Sequence, residues 1–211
     1  NDGLLDLLIS GNRHQLYHNK GNNKFELLSA GLIGFHQIES FAVGDLNDDG
    51  KQDIYASYSL LFNQASHRPD AIWLNTSKNN HHFLKVRLNG STSNLSAVGA
   101  SVSVFSGNFR SAKEVHSGIS YGTSQSLTLH FGLGNLTKID SVVVRWPNRQ
   151  RETILNPFID RTLVLTQNKC FAFDPVINPG SKPALCKAGD SIVLSSPING
   201  SYLWSNGSTN K

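Results

Sequence analysis

Apolar and polar residues alternate along much of this chain with a period of two. In "SVSVF" (101–105) and "LTLHF" (127–131) every second side chain is apolar, the pattern of a strand with one buried face. Short runs rich in Val, Ile, Leu, Phe and Tyr recur between Gly, Asn, Ser and Pro. "DLLIS" (6–10), "DIYAS" (53–57), "FLKVRL" (83–88), "ASVSVFS" (100–106), "SLTLHFG" (126–132), "DSVVVRW" (140–146) and "RTLVLTQ" (161–167) all read as strands. "NG", "GN" and "NN" pairs supply turn residues. Helical spacing is hard to find, so the predicted fold class is all-β.

The first third repeats itself. "NDGLLDLLIS" from Asn1 and "DDGKQDIYAS" from Asp48 align, with Gly3 and Gly50 47 positions apart. Each is followed by an aromatic-containing segment ending in Asn, "LYHN" (16–19) and "IWLN" (72–75). Two copies of strand, acidic loop, strand, strand predict blades of a propeller or solenoid, units that rarely stand alone. Asn1 reads as a cut end, and further modules of the same chain are expected on both sides. After Thr166 the composition shifts. "NKCFAFDPVINPGSKPALC" holds three of the seven prolines and reads as a linker.

Composition narrows the class. Apolar residues make up 38% and charged residues 16%, as in a folded, strand-rich protein rather than a disordered one. No apolar run reaches the length of a membrane span. Net charge is +4 but uneven. Residues 1–80 carry six Lys/Arg against nine Asp/Glu, and residues 81–168 carry nine against four. This asymmetry predicts different modules. The basic residues (Lys85, Arg87, Arg110, Lys113, Arg145, Arg149, Arg151, Arg161) are scattered without aromatic interleaving, which argues against nucleic-acid binding and for a solvated basic face. Cys170 and Cys186 form no CxxC pair, so a zinc site is not expected. Their sequence leaves open whether they are bonded.

The candidate chemistry lies in "GDLNDDGKQD" (44–53), where an otherwise basic chain gathers four carboxylates. With Asp45 as position 1, Asn47 is position 3, Asp49 position 5, Lys51 position 7 and Asp53 position 9. Alternating oxygens around a Gly at position 6 suit a hard cation, and Ca²⁺ takes six to eight oxygen ligands. Lys51 would offer its backbone carbonyl, with its side chain in solvent. The loop is not an EF-hand, because position 12 is Ala56 rather than Glu and both flanks are strand-like. Uncompensated, such carboxylates repel one another. The expected metal ligands are therefore Asp45, Asn47, Asp49, Lys51 and Asp53. A partial second site comprises Asp2, Leu4 and Asp6. A plain polar hairpin tip is the alternative.

The pattern "GDLNDDGKQDIYAS" followed by "IWLN" resembles the FG-GAP/VCBS-type repeat of integrin-like β-propellers, with Asp45, Asn47, Asp49 and Asp53 at its calcium positions. The resemblance covers residues 1–78. "HHFLKVRLNGSTSNLSAVGASVSVFSG", "EVHSGISYGTSQSLTLHFGLG" and "IDSVVVRWPNRQRETI" together resemble the ASPIC/UnbV domain over residues 81–167. Asn148-Arg149 depart from that family's usual "WPSG". The tail "CKAGDSIVLSSPINGSYLWSNGST" resembles the opening of an Ig-like module of large secreted bacterial proteins, with Trp204 as its core tryptophan. The implied architecture is partial β-propeller blades (1–78), a β-sandwich-like module (81–167), a linker (168–183) and a truncated Ig-like module (184–211). The implied location is secreted or cell surface.

Catalytic motifs do not hold up in the sequence. "GISYG" (118–122) fits G-x-S-x-G, but no helix follows and the last histidine, His130, precedes Asp140, which breaks the Ser, acid, His order. Ser120 is not expected to be a nucleophile. His14 and His18 lie in strand-like sequence, where an i,i+4 pair does not share a site. His116 and His130 are expected to hydrogen-bond structurally, and Trp73 and Trp146 to pack in cores. The expectation is a non-catalytic, calcium-binding extracellular module that supports structure or adhesion. Its partner would be an extracellular protein or glycan. The alternative is an accessory or glycan-binding region of a secreted enzyme.

Overall fold

A computed structural model of the chain describes residues 1–10, 14–28, 38–61, 64–65, 69–119 and 122–169. Ser120, Cys170, Cys186, Trp204, most of the linker and the Ig-like module lie outside the described residues. The described residues hold fourteen strands and no helix, as the period-two alternation predicts.

The first sheet has the order β1 (Leu7–Ile9), β2 (Gln15–Asn19), β3 (Phe25–Leu28). The next contains β4 (Ile38–Gly44), β5 (Asp53–Leu61) and the short β6 (Gln64–Ala65), with β7 (Ala71–Trp73) also paired to β5. The two copies share a register. Leu7, Leu8 and Ile9 pair with Tyr17, Leu16 and Gln15, just as Ile54, Tyr55 and Ala56 pair with Trp73, Ile72 and Ala71. These are blade-like units, and neither sheet closes on itself.

The second half is a sandwich-like pair of sheets. One has the order β10 (Phe109–Glu114), β9 (Ser101–Ser106), β12 (Ser141–Arg145), β13 (Arg151–Leu155). The other has the order β11 (Leu129–Gly134), β8 (His82–Asn89), β14 (Thr162–Thr166), with β14 parallel to β8. The inward residues of both sheets are buried: Val102 and Val104 of β9, Val142 and Val144 of β12, Leu84, Val86 and Leu88 of β8, and Phe131 of β11. Burying each such side chain stabilises the fold by about 1.5–3 kcal/mol. Trp146 is buried as expected, whereas Trp73 is only half-buried.

A glutamine closes this core. Gln167 is fully buried, and its Oε1 accepts the N–H groups of Ser91, Thr92 and Ser93 at 3.2, 3.2 and 3.0 Å. Its amide donates to Asn148 Oδ1 at 3.1 Å and Gln150 Oε1 at 2.8 Å. One side chain thus satisfies three backbone donors that would otherwise be orphaned. Residues Asn1–Lys169 form one compact unit, so the repeats and the sandwich belong to a single body.

Candidate metal centre

The acidic loop joins β4 to β5, and its carboxylates organise its own backbone. Asp45 accepts the Asp49 N–H on Oδ1 at 3.0 Å and the Gly50 N–H on Oδ2 at 2.9 Å. Asn47 Oδ1 accepts the Asp49 N–H at 3.2 Å, and Asp49 Oδ1 accepts the Lys51 N–H at 2.9 Å. Asp53 is fully buried and accepts the N–H groups of Leu46 and Asn75, both at 2.8 Å. Short acidic side chains hydrogen-bonding a few residues along are what let a strand reverse so tightly. Gly50 takes φ +80°, a conformation open to glycine at no steric cost.

The first copy repeats this wiring. Asp2 Oδ1 accepts the Leu4 N–H at 3.0 Å, as Asp49 accepts that of Lys51. Asp6 Oδ1 accepts the Asn19 N–H at 2.9 Å, as Asp53 accepts that of Asn75. Asn19 and Asn75 then each accept the N–H two residues on, from Gly21 and Ser77. The asparagine closing each "LYHN" and "IWLN" segment therefore ties the third strand of the unit back to the acidic loop. Between Asp2 and Asp6 sits His18, with Nδ1 2.9 Å from Asp6 Oδ1 and Nε2 3.7 Å from Asp2 Oδ2. The His14 ring lies 6.1 Å from that of Trp73.

The intact loop rests on the sandwich. Phe83 and Lys85 of β8 and His130 of β11 share the outer face of one sheet, with His130 directly opposite Lys85. The Phe83 and His130 rings stack at 5.8 Å between centroids. His130 Nε2 donates to the Gly50 carbonyl at 2.9 Å, which is the structural hydrogen bond expected of it, and Asn1 Nδ2 donates to the same carbonyl at 2.7 Å. From the other side, Gln125 Oε1 accepts the Val43 N–H at 2.6 Å and its amide reaches the Phe41 carbonyl at 3.3 Å, capping the free edge of β4. Burial pulls the His130 pKa below its ordinary value, against its bond to Gly50 and with help from the Lys113 charge.

Lys85 corrects the reading of a solvated basic face. It is only 7% exposed, and its ammonium donates to Asp45 Oδ2 at 2.8 Å and to Asp48 Oδ1. Burial works against its charge, but the two carboxylates more than compensate and its pKa is raised. Asp48, absent from the expected ligand set, sits at φ +60°. The sequence held one hint of Lys85. It alternates with Phe83 on the face opposite Leu84 and Val86, and an aromatic on a supposedly wet face signals cover. The Lys51 side chain also departs from expectation. It bends back to 3.7 Å from Asp49 Oδ2 rather than extending into solvent. Burial slightly opposes the Asp49 charge, but the Lys51 N–H, the Asn47 amide and the Lys51 ammonium hold its carboxyl below the usual range.

The donor set suits a hard cation in kind: carboxylates, an amide oxygen and a backbone carbonyl. The loop brings Asp45, Asn47 and Asp49 onto a common stretch of backbone and buries Asp53 beneath it. It does not gather them into a finished cage. Among the described residues, no three His, Cys, Asp or Glu side chains are grouped closely enough to hold a metal ion. The positive charge on Asp45 is the Lys85 ammonium.

Two family models match the chain, one for the FG-GAP-like repeat over residues 1–56 and one for the ASPIC and UnbV domain over residues 90–170. The chain joins FG-GAP-like repeats to an ASPIC/UnbV domain. No curated protein matches it. The ASPIC/UnbV match begins just after β8, yet β8 is the central strand of its sheet, hydrogen-bonded to β11 on one side and β14 on the other. The sheet that carries β11 and β14 of the matched region thus sets Phe83, Lys85 and His130 against the acidic loop. Both domain types suggest an extracellular or surface module, and domains of these types are typically non-catalytic. Among the described residues no helix is long and apolar enough to cross a membrane.

Proposed function

We propose that this region is a calcium-binding structural module of a secreted or surface protein, in which the FG-GAP loop is the joint between the repeats and the ASPIC/UnbV domain. Asp45, Asn47, Asp49 and Asp53, with the Lys51 carbonyl, would hold the ion. Bound there, it would neutralise the loop carboxylates and stiffen the turn between β4 and β5. The observation that carries this reading is the seating of Gly50, whose carbonyl accepts from both His130 and Asn1 while Phe83 fills the space beside its Cα. A loop so fixed has its backbone turn in place before any ion arrives, which lowers the ordering cost of drawing its carboxylates together. Extracellular calcium, in the millimolar range, saturates even weak sites of this class. An assembly stiffened in this way presents its surfaces to an extracellular protein or glycan. Calcium titration by calorimetry tests the assignment: the wild-type chain gives a binding isotherm, and Asp49→Ala abolishes it. An isotherm unchanged in Asp49→Ala rejects these ligands.

A further inference from the structure

We propose that Lys85 is the acidic loop's internal cation and sets how tightly the loop takes a divalent ion, the ammonium and the ion competing for Asp45. The inference rests on the calcium reading above. Asp45 is the first oxygen donor of the loop, and its Oδ2 already bonds an ammonium 2.8 Å away. A divalent ion on that carboxylate would stand within a few ångströms of a positive charge, in a place where water screens little because the Asp45 side chain is only 4% exposed. Binding the ion therefore requires the ammonium to withdraw.

The loop provides for both states. Asp48 lies outside the ligand set, and its side chain gives Lys85 a second acceptor. A cleft of about 200 Å³ opens beside them, lined by Asp45, Asp48, Gln52, Lys85 and His130. It gives the ion an approach from solvent and the ammonium somewhere to go. Phe83 and His130 hold Gly50 independently of Lys85, so exchange does not require the domains to separate. The first copy supplies the parallel. There too a nitrogen base from elsewhere in the fold, His18, bridges the loop carboxylates Asp2 and Asp6. The two loops meet different nitrogen side chains from different strands, so a nitrogen group set against the acidic loop recurs in both units.

Because the competition is a coupling free energy, it acts both ways: whatever removes Lys85 tightens the ion, and the ion loosens Lys85. Calcium titration of the wild-type chain, Lys85→Met and Lys85→Gln tests this. The glutamine keeps a donor for Asp45 without the charge and serves where the methionine does not fold. The expected result is a dissociation constant lower by about tenfold in the variants. Equal or weaker binding in the variants overturns the competition while leaving the calcium reading intact. Absence of binding in wild type and both variants overturns the two together.

Discussion

The Cβ that Gly50 lacks would lie 2.0 Å from the Phe83 ring, closer than any real Cβ approaches a carbon. The glycine at position 6 of the loop thus answers two demands, the left-handed turn and the aromatic plate of the neighbouring domain. Gly50→Ala is expected to lower unfolding free energy by about 2–4 kcal/mol, combining backbone strain with overpacking. In a Phe83→Ala background the same change costs less, because the clash is gone and only the strain remains. Urea unfolding of the four proteins measures this. Strict additivity would show that the ring and the glycine are not in contact.

His130 links the same contact to pH. Its ordinary pKa is 6.5 and burial lowers it in the folded chain, where Lys113 adds repulsion and Asp45 and the Gly50 carbonyl partly offset it. The folded state therefore resists a proton that the unfolded state accepts. The stability contribution is complete above pH 6.5 and is lost as pH falls from there through the folded value. His130→Gln, which keeps a donor for Gly50, is expected to flatten the stability profile on the acid side of about pH 6.5. An identical slope in the variant contradicts the assignment of His130 as a buried neutral imidazole.

Arg149 occupies the turn between β12 and β13 at φ +70°, in a hairpin closed by Trp146 N–H to Gln150 O at 2.8 Å and Arg149 N–H to Trp146 O at 2.8 Å. Its side chain is exposed. This is the position where the chain departs from the family's "WPSG". Arg149→Gly is expected to stabilise by roughly 0.5–1 kcal/mol, the relief of left-handed strain less the extra flexibility of glycine when unfolded. An unchanged or lower urea midpoint contradicts it.

In the β10-β9-β12-β13 sheet the alternation pattern revealed the two central strands and missed the two edges. "SVSVF" and "SVVVR" bury every second residue and form the middle of their sheet, whereas "FRSAKE" and "RETIL" flank them with only partial burial. An edge strand has one neighbour and a wetter face, so it needs little apolar signal. Of the candidate site, the oxygen spacing and the Gly were legible because they lie within nine residues. The seat was not. Phe83, Lys85 and His130 come together only through the β8–β11 pairing, and Gln167 reaches Ser91 only through β8 and β14. A lysine reads as a surface residue until the fold puts a carboxylate on each side of it.

Thermal unfolding in calcium and in chelator tests the central claim most directly. A ligand that binds only the folded state stabilises by RT ln(1 + [L]/Kd), about 2.7 kcal/mol at one hundred times Kd. The wild-type chain is expected to melt several degrees higher in millimolar calcium than in EDTA, and Asp49→Ala to melt at one temperature in both. A wild-type midpoint indifferent to calcium would contradict the account of this loop as an ion-stiffened joint.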